Sequence, residues 1–579
     1  MTARGAGYAA RVAGDRSGKG GTAPGTGGAS AADARSWPLR TVPDELRRRY
    51  REAGFWGDET LGATLHRLIG ARPGLAFRIW SRTRPFADEL GLVYRRALGF
   101  AAGLRRLEVG PGDVVAFQLP NWAEAAETFY GVAALGATLV PIVQFYGPRE
   151  LRHILGESRA RVLVTADRFG RQDFLAGIEA LRSALPALEH VIVVRAEPDA
   201  ALPVGAQPFE AVADVPPLAA PQPVDPDWPA VVGYTSGTTA APKGVIHTHR
   251  SLVFEMRQLA ANVPPGDRPS LVGAPVAHAI GMLGGLLIPP HRGRAIHLLD
   301  VWEPAFVLDA MVKADLTSGA GSTYFLTSLL DAPTFGPEHA ERIPWAGLGG
   351  SPVPVAVSER AEALGIAVTR NYGSTEHPST TGSKAGELRE KRHRTDGHAL
   401  PGVELRLVDP AGREVGIGEP GEIWSRGPDL CAGYTDPALN EAFDPDGWYR
   451  TGDVGVLDAE GYLTITDRLK DIIIRGGENV SAAEVEEVLQ RMTGVAEVAV
   501  VAAPDPRLGE HGCAFVRVAP DAAPPDLASL RRHLEAEGLA RPKWPEDLRV
   551  LREFPRTPSG KIVKAELRRR LREEATRPS

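Results

Sequence analysis

Between about residues 90 and 235 the chain alternates two hydrophobic periods, and this narrows its possible folds more than any other feature. "VYRRALGFAAGLRRL" repeats apolar residues at helical spacing. "DVVAFQLP" is a short apolar strand ending in a breaker, "EAAETFYGVAALG" is helical again, and "ATLVPIV", "RVLVTAD" and "HVIVV" are again strands. Apolar strands that alternate with helices form a parallel sheet covered by helices, so the expected class is α/β with doubly wound sheets. Such sheets bind ligands beyond the carboxyl ends of their strands. After about Gly402 the period changes to two in "VELRLVD", "GEIWSRG" and "GYLTITD", which predicts a small antiparallel, β-barrel-like subdomain. From Asp471 onward the pattern is compact α+β. The expected organisation is a disordered tail over 1–36, a large N-terminal domain over 37–469 and a small C-terminal lid over 470–579.

A chain of 579 residues exceeds one hydrophobic core, which agrees with several domains. Hydrophobic residues make up 43% and charged residues 24%, with net charge −6, so no basic footprint for nucleic acid or an anionic membrane exists. The two cysteines, Cys431 and Cys513, form no metal-ligand pattern, and a cytoplasmic location is expected. Residues 1–36 are rich in Gly, Ala, Ser and Thr and hold no apolar run of signal-peptide length. Two long uncharged stretches, Phe129 to Gly147 and Leu271 to Pro290, are broken by Gly and Pro and read as buried strands and turns, not membrane spans. Arginine greatly outnumbers lysine, which sets apart Lys243, Lys470 and Lys561 as places where a compact point charge is needed.

Directly after the apolar run "AVV" comes "YTSGTTAAPKG", Tyr234 to Gly244. A Gly/Ser/Thr loop after a strand can aim backbone N–H groups and hydroxyls at phosphate oxygens, and the lysine adds charge. An ordinary polar surface loop is the competing reading. The loop is not a Walker A motif, because Pro242 precedes Lys243, nor a nucleophile elbow. "HTH" at His247 to His249 has no supporting cysteine or carboxylate cluster and is read as non-metal.

The loop resembles the phosphate-binding signature of the adenylate-forming superfamily of acyl-CoA synthetases, adenylation domains and luciferases, with Ala240 where glycine is usual. Further segments follow in the superfamily's order: "GLGGSPVP" (347–354), "NYGSTEHP" (371–378), "GWYRTGD" (447–453), "DRLKDIIIRGGENVSAAEVE" (467–486) and "PRTPSGKIVKAELR" (555–568). The resemblance covers about residues 40 to 570. It implies ATP, Mg2+ and coenzyme A as cofactor and cosubstrates, a small carboxylic acid as substrate, and two half-reactions through an acyl-adenylate.

By this resemblance Thr235, Ser236, Gly237, Thr238, Thr239 and Lys243 hold phosphate. Gly349, Gly350 and Ser351 form the adenine-side loop, continued by Asn371, Tyr372, Gly373 and Ser374, with Tyr372 stacked on adenine. Thr375 donates to the α-phosphate and Glu376 ligates Mg2+. Asp453 accepts from the ribose hydroxyls, and Arg468 contacts ribose or phosphate; Asp467 stands where glycine is usual. Lys470 is the hinge, and Gly476 and Gly477 border the thiol tunnel. Lys561 bridges carboxylate and α-phosphate. A solvated surface lysine is its bland alternative, as a turn cap is for Asp453, a surface ion pair for Arg468 and a core aromatic for Tyr372.

The resemblance also places His278 at the acid pocket, a buried core histidine being the alternative. Leu283, Tyr324, Phe325 and Leu326 could line that pocket or belong to the core. "APVAHAIGMLGG" carries no acidic residue to pair with a substrate amine, which favours an acid without an α-amine. The chain is most similar to bacterial medium-chain or alicyclic carboxylate–CoA ligases. No carrier-protein domain follows the basic helix near Lys564 to Arg572, so free CoA is the expected thiol. Loading of a separate carrier protein, a non-catalytic nucleotide-binding regulator and a homodimer stay open.

Overall fold

The computed structural model describes residues 37–195, 201–235, 242–266, 268–469, 471–475, 478–505, 507–520, 522–556 and 561–576. The expected tail, 1–36, lies outside them. Eight strands form the principal sheet, in the order Gly433–Tyr434, Lys243–Thr248, Pro229–Thr235, Thr138–Pro141, Val114–Gln118, Val162–Ala166, His190–Val194 and Ala206–Pro208. From Pro229–Thr235 outward all neighbours are parallel, as the alternating sequence predicts. Helix Ala123–Leu135 packs against it, and helix Leu90–Arg106 packs on that helix. Every residue of Ala123–Leu135 is buried; it is apolar except for Glu124, Glu127 and Thr128, and the two glutamates are paired with Arg84 and Arg96. Phe100, Phe129 and Tyr130 anchor this core, each such side chain contributing about 1.5–3 kcal/mol on burial.

A second sheet joins Leu271–Val272, Ile296–Leu299, Ala76–Trp80 and Phe86–Glu89, and a third joins Trp345–Gly349, Ala367–Tyr372, Thr381–Gly382 and His398–Ala399. The stretch Leu271 to Pro290 departs from the expected strands and turns. After its two-residue strand it turns helical over Ala279–Gly281, runs through a π-helical turn at Met282–Leu287 and continues as a helix over Ile288–Arg292. An apolar run buried on all sides has no period to tell strand from helix. The Tyr130 hydroxyl donates to the Leu286 carbonyl at 2.8 Å and fixes this segment to the core. Among the described residues no helix is long and apolar enough to cross a membrane.

The period-two segments form a four-stranded antiparallel sheet, Glu404–Val408, Gly421–Arg426, Tyr449–Leu457 and Leu463–Arg468. Arg406, Trp424 and Arg450 stand directly opposite one another across three strands. Their side chains stack with Trp448 and Arg426 into a ladder: Arg450 on Trp424 at 4.8 Å, Arg406 on Trp424 at 4.5 Å, and Arg406 and Arg426 each on Trp448 at 4.4 Å. The sheet membership of the chain changes between Arg468 and Ile473. Beyond it, Glu478–Val480, Ile473–Arg475, Gly509–Val518, Val495–Asp505 and Asp547–Leu551 form a separate sheet, covered by helices Ala482–Gln490, Leu527–Ala536 and Lys564–Thr576. The molecule is thus a large α/β body followed by a small α+β unit.

Candidate active site

Strand Pro229–Thr235 and strand Lys243–Thr248 form a hairpin in which Thr235 faces Lys243. This sets Thr235 and Lys243, which bracket the Gly/Ser/Thr loop, at the carboxyl end of strand Pro229–Thr235. Ser236, Gly237, Thr238 and Thr239 lie outside the described residues, as do Lys470, Gly476 and Gly477. Thr235 and Lys243 border a continuous cleft. The loop's far end is held by His153, whose Nε2 lies 2.8 Å from the Pro242 carbonyl.

Strands Trp345–Gly349 and Ala367–Tyr372 run parallel, with Gly349 opposite Asn371, so both motifs leave the same sheet edge together. Gly350 has φ +72°, a conformation that favours glycine. Asn371 Oδ1 accepts from Asn262 Nδ2 at 3.3 Å. The turn after Tyr372 is closed by Ser374 N donating to the His377 carbonyl at 2.9 Å and by His377 N donating to Ser374 Oγ at 3.2 Å. Gly373 admits no side chain, because a Cβ would meet the Pro378 carbonyl oxygen at 1.9 Å. Ser351, Thr375 and Glu376 border the cleft as well.

The Tyr372 hydroxyl donates to Asp453 Oδ2 at 2.8 Å, and Arg468 Nε lies 2.9 Å from Oδ1. Asp453 and Arg468 are direct cross-strand partners. The ion pair entertained from sequence for Arg468 therefore exists, but its partner is the carboxylate singled out for ribose. Burial, with the Asp453 charge next, pushes the Tyr372 phenol well above its ordinary value. Glu376 is set from two sides: its carbonyl accepts from Cys431 N at 2.8 Å, and its Oε1 accepts from the Tyr434 hydroxyl at 2.9 Å. His247 holds the Thr375 carbonyl through Nε2 at 2.7 Å. A site with one carboxylate suits Mg2+, which takes its other ligands from phosphate oxygens and water. Glu376 has only one carboxylate oxygen engaged in the described hydrogen bonds, so it fits that part.

Lys561, from the C-terminal unit, borders the same cleft as His278. Burial lowers the His278 imidazole below its ordinary value, and the Lys561 ammonium lowers it further. Beside His278 lies a small cavity lined by Val143, Ala274, Pro275, Ile280, Ser322 and Phe325. Leu283 and Tyr324 border the main cleft, but Leu326 does not. It is fully buried in the second core cluster, on the opposite side of helix Thr323–Leu330. Trp302, which sequence reasoning missed, backs Phe325 at 4.6 Å between ring centroids, and its Nε1 donates to Ser328 Oγ at 2.9 Å. Its indole occupies the space a side chain on Gly273 would need, 2.2 Å from the Cβ position. Tyr434 and His247 were also missed, because nothing local in sequence ties them to the 371–378 turn.

Residues 91–435 match the family AMP-binding enzyme, and residues 484–561 match the AMP-binding enzyme C-terminal domain. The chain belongs to the AMP-binding enzyme family. It is 31% identical over 538 residues to the medium-chain fatty-acid–CoA ligase of Escherichia coli (strain K12), covering 91% of this chain and 93% of the relative. It is 35% identical over 523 residues to a 3-[(3aS,4S,7aS)-7a-methyl-1,5-dioxo-octahydro-1H-inden-4-yl]propanoyl:CoA ligase of Mycobacterium tuberculosis (strain ATCC 25618 / H37Rv), covering 88% and 98%. The crystal structure of ATP-bound MatB from Rhodopseudomonas palustris superposes with TM-score 0.79 at 26% identity, covering 89% of this chain and all of that one (100%).

Proposed function

We propose that the protein is an ATP-dependent carboxylate–CoA ligase acting through an acyl-adenylate. The acid's carboxylate attacks the α-phosphorus of ATP, forming the acyl-adenylate and releasing pyrophosphate. The thiol of CoA then attacks the acyl carbonyl and AMP leaves. One observation carries this reading: Lys561 reaches the cleft that also holds His278, Glu376 and the Tyr372–Asp453–Arg468 group.

The first step brings two anions together, which costs about 4 kcal/mol at 4 Å and an effective dielectric near 20. Lys561 offsets that repulsion at the reacting oxygen, Thr375 and Lys243 donate to phosphate, and Glu376 holds Mg2+. Asp453 accepts from the ribose hydroxyls while Tyr372 and the Gly349–Ser351 loop embrace adenine. His278, kept neutral by burial, orients the acid. Residues 37–469 act as the body and 470–579 as a lid that turns about Lys470, exchanging Lys561 for the Gly476–Gly477 face that admits the pantetheine arm.

The acid is of medium-chain or alicyclic type and lacks an amine. The similarity to medium-chain and alicyclic acyl-CoA ligases supports the first part, and the lining of the small cavity beside His278 supports the second, since among the described residues it is apolar apart from His278 and Ser322 and holds no carboxylate. The test is an acid panel with ATP and Mg2+, following pyrophosphate release, with CoA or a phosphopantetheinyl carrier protein as acceptor. Acyl-CoA with CoA alone is the expected product. Transfer only to the carrier protein, or no pyrophosphate with any acid, refutes the reading.

A further inference from the structure

Beside the 374–379 turn lies a buried polar cluster that the reaction above does not use, although two of its members, Glu255 and Ser379, border the cleft. Glu255 sits on helix His249–Asn262, whose start is fixed by Thr248 Oγ1 accepting from Ser251 N at 3.1 Å. Its side chain faces inward, leaving the residue 1% exposed, and Asp429 is fully buried. Ser379 Oγ donates to Glu255 Oε1 at 2.6 Å. His377 Nδ1 lies 2.8 Å from Ser425 Oγ, and its Nε2 lies 3.3 Å from Asp429 Oδ1. Gly427 is what lets this cluster pack, since a Cβ there would sit 2.7 Å from His377 Nε2 and 3.1 Å from Asp429 Oδ1.

Four atoms of the cluster have no partner of ordinary hydrogen-bond geometry among the described residues: Glu255 Oε2, both Asp429 oxygens and His377 Nε2. A buried group left so costs about 1–3 kcal/mol, more if charged. The four close as a set if one proton is added. A proton on Glu255 Oε2 donates to Asp429, whose other oxygen accepts from the His377 Nε2 hydrogen. Two neighbouring carboxyls, each almost wholly buried, do not both ionise. Burial raises the Glu255 carboxyl well above the usual carboxylate range, and the Asp429 charge raises it further. The other titratable groups around the cluster are His247, whose imidazole feels Asp429, Glu376 and His377, and Glu376, the residue before His377.

We propose that Glu255 is a positioning residue that stays protonated in the folded enzyme and, through Asp429 and His377 on one side and Ser379 on the other, holds the turn carrying Thr375 and Glu376 in register for adenylation. The kinetic part rests on the ligase reading; the protonation state does not. Glu255 touches neither reacting group. It grips the turn directly at Ser379 and, through Asp429, at His377, both just after Thr375 and Glu376.

Two measurements test this. Infrared difference spectra of the full chain, wild type minus E255Q at pH 8, should show the carbonyl band of an un-ionised carboxylic acid that shifts in D2O. Carboxylate bands alone would overturn the proposal. In ATP–pyrophosphate exchange with an accepted acid, E255Q keeps an N–H donor in place of O–H and should stay within about threefold of wild type. E255L should lose at least about tenfold in kcat, while the Kd for ATP changes less than about threefold. These bounds correspond to about 0.7 and 1.4 kcal/mol. Wild-type rate in E255L, or a tenfold loss in E255Q, overturns it. If E255L does not fold, E255Q and the infrared band decide. If wild type exchanges with no acid, the ligase reading fails instead and the band still decides this proposal.

Discussion

Replacing Tyr372 by Phe separates two jobs that one side chain performs. The ring, proposed to lie on adenine, is kept; the hydroxyl that donates to Asp453 Oδ2 at 2.8 Å is lost. A hydrogen bond to a charged acceptor is worth about 1.5–3 kcal/mol, and Asp453 is buried, so solvent does not replace it freely. Asp453 retains Arg468 at 2.9 Å, but that arginine is 38% exposed on its side chain and contributes at the low end for an ion pair. The carboxylate therefore loses its firmer anchor. Y372F should lose about 1.5–3 kcal/mol of stability in urea unfolding. Its KM for ATP in pyrophosphate exchange should rise at least about tenfold, since tenfold corresponds to about 1.4 kcal/mol, just under that range, with kcat changed less than KM. A lowered stability with an unchanged KM for ATP would refute the reasoning, because it would show that the orientation of Asp453 is irrelevant to nucleotide binding.

Lys561→Ala should slow adenylation by about three decades, the equivalent of the 4 kcal/mol of repulsion it offsets, while acyl-CoA formation from supplied acyl-adenylate stays near wild type; equal loss of both steps counts against the lid role. Trp302→Ala removes the indole that backs Phe325 and fills the space over Gly273, so the acid panel should shift towards longer or bulkier acids; an unmoved optimum removes Trp302 from the pocket wall. His249 is fully buried with neither ring nitrogen partnered among the described residues, and burial lowers its imidazole to about 4. The unfolded chain takes up a proton near 6.5 and the folded one only near 4, so stability falls as pH drops through that window, by about 3 kcal/mol in all. His249→Leu should flatten this part of the stability–pH curve, and an unchanged slope would mean the histidine is protonated in the fold.

Those elements of the fold whose period is unambiguous were legible in the sequence. "DVVAFQLP" became Val114–Gln118, "EAAETFYGVAALG" became Ala123–Leu135, and the period-two runs became the antiparallel sheet. Leu271 to Pro290 was not, because an apolar stretch without a polar face carries no phase. In the cleft, residues of contiguous motifs such as 371–378 were singled out together because they lie within a few positions of one another, and most of them border the cleft. For Leu326 the core alternative holds, because two residues along the helix from Tyr324 it points to nearly the opposite side. Glu255 and Asp429 escaped the sequence reading. They are far apart in sequence, and each alone looks like a solvated carboxylate; only folding shows that they face each other in the interior.

The arginine–tryptophan ladder bears on how this surface tolerates change. Arg406 touches both indoles, Trp424 and Trp448, whereas Arg450 and Arg426 each cover one. Lysine would keep the charge but not the flat plate, so substitutions along the stack are not independent of one another. Sequence drift can work inward from the ends, but the central rung must change together with its neighbours. The strand that carries Arg450 also carries Asp453, so this interlocked stack restrains the strand that brings Asp453 to the cleft.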